Sequence, residues 1–65
     1  MERIKVNILI NDVGGRYTIT VEDSKTDEIV AKVRYASTYQ RAKIIANQLE
    51  QWCEANDLKV ISMDD

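Results

Sequence analysis

The sequence predicts an α+β fold of order βββαβ, a mixed four-stranded sheet with one helix packed on one face. Three observations lead there. Two strictly alternating segments flank a Gly-Gly pair, a third alternating segment follows a stretch dense in turn formers, and a capped segment then carries apolar residues at helical spacing.

In residues 2–11, Ile4, Val6, Ile8 and Ile10 face one way while Arg3, Lys5, Asn7, Leu9 and Asn11 face the other. A period of two marks a strand with one buried face. Asp12-Val13-Gly14-Gly15 follows, and paired glycines supply the positive φ angles of a tight hairpin. The second strand, 16–22, turns Tyr17, Ile19 and Val21 inward and Arg16, Thr18, Thr20 and Glu22 outward. A Val13-Gly14 loop would set Ile10 opposite Tyr17; a Gly14-Gly15 loop would set it opposite Ile19. Both registers keep the apolar faces together, whereas a one-residue slip would not.

Residues 23–27 form a second turn, after which Ile29, Ala31, Val33 and Tyr35 continue the buried face. Ser37-Thr38-Tyr39-Gln40 then reads as a capping box, Ser37 accepting from the Gln40 amide. Tyr39, Ala42, Ile45, Ala46, Leu49, Trp52 and Cys53 gather on one stripe, with the two alanines letting the helix lie close to the sheet. Asn56 suits a left-handed stop. Residues 58–62 read as a fourth strand burying Leu58 and Val60, and residues 63–65 as a loose acidic tail. Once the helix has reversed direction, this strand runs parallel to the first. The order 3-2-1-4 lets the helix cross the whole apolar face and is preferred to one in which strand four flanks strand three.

Sixty-five residues make one small domain with a thin core. Apolar residues are 45% of the chain, too many for the weakly apolar class that stays disordered. No apolar run nears the ~18–20 residues that span a bilayer, and no secretory leader opens the sequence, so the expectation is a cytoplasmic protein without membrane contact. With no histidine and one cysteine, Cys53, one chain can assemble neither a zinc site of thiolates and imidazoles, barring assembly between copies, nor an imidazole-based triad. Two adjacent glycines provide no phosphate-cradling loop. The expectation is a non-enzymatic binding module with no metal, cofactor or small-molecule substrate.

Its binding surfaces must then lie outside the core. The outer sheet face collects Arg3, Lys5, Arg16, Lys32 and Arg34, five of nine basic residues in a chain of net charge −2, against Glu22 and Glu28. A three-stranded sheet so studded can enter a DNA major groove or track phosphates. Against that stands a merely solvated face, with Lys5 or Arg16 partnered by Glu22 and Lys32 near Thr18 or Thr20. Leu9, Val30 and Ile61 share the face, and Leu9 and Val30 flanking Thr20 would make an apolar row typical of a protein interface. On the helix, Ile44 lies opposite the buried stripe. Glu50, Glu54 and Asp57 line one flank near its end, opposing the dipole and suiting a basic partner. The primary expectation is a protein-interaction or regulatory module that self-associates as a homodimer through the outer face or a sheet edge. Nucleic-acid binding is the alternative.

Arg16-Tyr17-Thr18 opening a strand, Thr26 in the second turn, and Ser37-Thr38 leading into an Ala- and Trp-bearing helix resemble the arm-type DNA-binding domains of tyrosine recombinases, over roughly residues 15–52. The resemblance implies three strands on one helix and DNA contact through the sheet. The acidic balance and the appended fourth strand depart from that pattern.

Overall fold

A computed structural model describes residues 3–63, with every side chain in that span except that of Arg34. Three strands, β1 (Ile4–Val13), β2 (Arg16–Asp23) and β3 (Ile29–Ala36), precede helix α1 (Tyr39–Ala55) and strand β4 (Leu58–Met63). The sheet order is β3-β2-β1-β4, antiparallel except for β4, which runs parallel to β1. The preferred topology is the one adopted.

Ile10 pairs with Ile19, so Gly14-Gly15 is the hairpin loop. Both glycines have positive φ, 63° and 86°, the conformation that a two-residue loop needs to match strand twist. A Cβ on either would meet nothing within 4 Å, so backbone conformation rather than space calls for glycine here. The Asp12 carboxylate accepts from the Gly15 amide at 3.2 Å.

Val6 and Ile8 of β1, Ile19 and Val21 of β2, and Ala42 and Cys53 of α1 are fully buried, joined by Ile10, Ala36, Ala46 and Leu58. Tyr17, Ala31, Val33, Ile45, Leu49, Val60 and Met63 pack around them. The inner faces of β1 and β2 are thus as the alternation predicts, except that Ile4, first in its strand, stays exposed beside a shallow depression.

In β3 the alternation misleads. Its pairing with β2 shifts register twice, between Val21 and Glu22 and between Tyr17 and Ile19. Each shift adds an unpaired residue to β3, and each addition reverses which face the following residues take. Ala36 rather than Tyr35 therefore faces Tyr17 and the core, while Tyr35 is 59% exposed. Ile29 pairs with the outward Glu22 and is 57% exposed. A third shift, between Val6 and Asn7, makes Ile61 the extra residue in β4 and brings Met63 opposite Ile8. Met63 therefore belongs to the strand and packs on the core. The remaining expected tail, Asp64 and Asp65, lies outside the described residues.

The helix starts one residue later than the capping box suggests. Thr38 is the N-cap, accepting from the Arg41 amide at 3.2 Å, so no carboxamide stands at the reciprocal position. At the other end Asn56 has φ −105°, and the left-handed residue is Asp57 at 61°. Asn56 caps through its side chain, whose Nδ2 donates to the Trp52 carbonyl at 2.8 Å.

Candidate functional site

Each strand contributes one described cation to the outer sheet face: Lys32 from β3, Arg16 from β2, Lys5 from β1 and Lys59 from β4. All four are exposed. Lys5 and Lys59 are register partners on adjacent parallel strands. Like charges so placed repel, by up to about 1 kcal/mol for a directly opposed pair. Among the described residues, no carboxylate lies within 4.0 Å of any of the four. The expected partner Glu22 is on this face but half-buried, and its carboxylate accepts from the Thr20 hydroxyl at a long 3.5 Å. Lys32 does lie opposite Thr20, as the solvated-face reading expected.

Thr20 itself is 4% exposed, against the outward and open position expected for it. Leu9 pairs with it on one side and Lys32 on the other, and Asn11 donates toward its hydroxyl at 3.5 Å. Longer neighbours on the two flanking strands cover a short side chain on the central one. Leu9 is half-buried in the same way. Val30, an added residue in β3, is exposed but does not stand opposite Thr20. The apolar row of Leu9 and Val30 flanking Thr20 is therefore not assembled.

Tyr35, which the sequence places in the core, joins this surface. The Arg16 guanidinium sits 5.1 Å from its ring centroid, close enough for a cation–π contact. Lys59 and Tyr35 are the two members of the face that sequence reasoning did not single out. Lys59 follows once β4 is set parallel beside β1. Tyr35 follows only from a bulge that has no local sequence signature.

Arg3 does not belong to the face. It precedes β1, is free of the pleat, and donates to the Glu54 carboxylate at 3.0 Å, with its Nε 4.0 Å from Asp57. It supplies positive charge near the C-terminal end of α1, whose last turn has no basic residue of its own. Glu54 is thus engaged within the chain and Glu50 is half-buried, which leaves little of the expected acidic stripe for a basic partner. Ile44 is exposed on the helix, as its place opposite the buried stripe predicts. The side chain of Arg34 lies outside the description.

Cys53 is fully buried. Burial pushes its thiol pKa up, and the nearby carboxylates of Glu54 and Glu50 push it further. No three His, Cys, Asp or Glu side chains converge among the described residues. A depression of about 190 Å³ is lined by Arg3, Ile4, Lys5, Asp23 and Lys25, below the ~300–1,000 Å³ usual for ligand pockets. No helix among the described residues is long and apolar enough to cross a membrane. No protein-family model, curated protein or solved structure matches the chain.

Proposed function

We propose that the protein is a small non-enzymatic binding module whose working surface is the outer sheet face and whose partner is a nucleic acid held through its phosphates. One observation carries this reading: four exposed cations, one per strand, without a carboxylate within 4.0 Å among the described residues. Cations that stabilise a sheet by cross-strand pairing have partners. Cations without a carboxylate beside them among the described residues keep their charge for an external anion, and each phosphate they neutralise releases counterions. Attraction must come from the cations of this face, because the chain as a whole carries −2.

Fluorescence anisotropy with a labelled oligonucleotide, titrated over a range of salt concentrations, tests the proposal. Four phosphate contacts give a log–log salt slope of about −3 to −4, and reversing Lys32 and Lys59 to Glu together reduces it by about 2. Absence of binding at low salt, or binding indifferent to that double reversal, overturns the proposal.

A second reading, self-association, retains one support in the exposed Ile29 and Val30 on the edge strand β3. The outer face itself is a poor self-complement, since two copies would bring eight cations together. Sedimentation equilibrium showing a strict monomer at high micromolar concentration removes this reading.

A further inference from the structure

We infer that the nucleic acid taken by this face is single-stranded, with Tyr35 as the platform on which a base stacks. The inference rests on the nucleic-acid reading of the same surface and names the class of ligand within it.

The first argument is width. A major groove about 12 Å across admits a helix or a two-stranded ribbon. Here the sheet has four strands, which at the usual spacing of about 4.8 Å set the outer two some 14 Å apart before side chains are added. The cations occupy all four strands, so no two-stranded insertion could bring Lys32 and Lys59 to phosphates together. A face four strands wide instead suits a strand laid across it with its bases turned toward the protein.

Tyr35 is the second argument. A bulge in β3 turns this ring out of the core while Ala36 fills the inward position behind it. Bulges at sheet edges commonly re-aim a side chain in this way. The ring contributes little to the core when 59% exposed, and a duplex held only by its phosphates has no use for it. An unpaired base does, because every base has a π-face that stacks on an aromatic ring. The Arg16 guanidinium lies over one face of the ring, 5.1 Å from its centroid, which leaves the other face for a base and places a cation near the adjoining phosphate.

The test measures anisotropy at low salt with three probes of one sequence, about 12 nucleotides long: single-stranded DNA, single-stranded RNA and the DNA duplex. Full-length protein is compared with Tyr35→Ala, Tyr35→Phe and Lys32→Glu. The expected result is tighter binding of one or both single strands than of the duplex by tenfold or more. Tyr35→Ala weakens the single strand by between about fivefold and a hundredfold, the range for loss of one stacked base. Tyr35→Phe keeps the affinity, because the ring does the stacking. The salt slope is unchanged by Tyr35→Ala and falls by about one for Lys32→Glu, which separates stacking from charge. A duplex bound as well as the single strands, or Tyr35→Ala binding like wild type, overturns the inference and leaves the phosphate-binding reading standing. Failure of all three probes to bind overturns both. Tyr35 is exposed, so its variants are expected to fold, which circular dichroism of each one checks.

Discussion

At the scale of single residues, burial decides chemistry. Cys53 has no contact with solvent, and a thiolate there would be poorly hydrated and close to Glu54 and Glu50. The folded protein therefore holds the thiol proton more tightly than the unfolded chain does. Because the folded pKa is the raised one, its contribution to stability is complete below the ordinary thiol value of about 8.5 and is lost as pH climbs through the folded value. Two outcomes are expected: native Cys53 reacts with a thiol reagent at pH 8 far more slowly than the urea-unfolded chain, and the urea midpoint falls above pH 9 in wild type more than in Cys53→Ala. Equal reaction rates in the native and unfolded states would contradict the buried position. The helical stripe already placed Cys53 against the sheet, so this residue was legible from spacing alone. Thr20 was not. A polar residue at an outward position reads as exposed, and only the lengths of Leu9 and Lys32 on the strands either side reveal that it is covered.

At the scale of elements, legibility follows regularity. Strands β1 and β2 pair without a shift, so period two carries every residue of the hairpin to its correct face. The pairing of β3 with β2 shifts twice, and a rule of alternation applied across an added residue must reverse; Tyr35 and Ile29 are misplaced for that reason and no other. The same irregularities blunt β3 as a template for edge pairing, since they break the run of evenly spaced free amides and carbonyls. The helix start turns on a similar one-residue question. Thr38 bonds the Arg41 amide, whereas Ser37 stands outside the helix with no bond to Gln40. Replacing Thr38 with Ala should lower stability by about 1 kcal/mol, within the 0.5–2 kcal/mol span of N-cap substitutions. Ser37→Ala should change it by only about a few tenths. Urea denaturation of the two variants checks the assignment, and a larger loss at Ser37 would return the cap to the position the sequence motif proposes.

For the whole molecule, the governing fact is that one helix and one sheet face make a small core and everything else is surface. Domains under about 70–80 residues rarely draw more than about 3–5 kcal/mol from a single core, so any further burial would raise stability visibly. Self-association would provide such burial, and mass action then ties stability to concentration: a partner at a hundred times its dissociation constant adds about 2.7 kcal/mol. For a chain of this length, that corresponds to a thermal midpoint higher by roughly 10–20 °C. A monomer has no such dependence. The arrangement of charge favours the monomer, because the outer sheet face carries four exposed cations and both sheet edges are irregular. The expected outcome is therefore a thermal midpoint that stays constant over a hundredfold range of protein concentration and rises when single-stranded oligonucleotide is added at low salt. A midpoint that climbs with protein concentration and falls back in Val30→Glu would assign the exposed aliphatics of β3 to a dimer. The apparent weakness of the lone core would then be relieved by a second copy rather than by a bound strand.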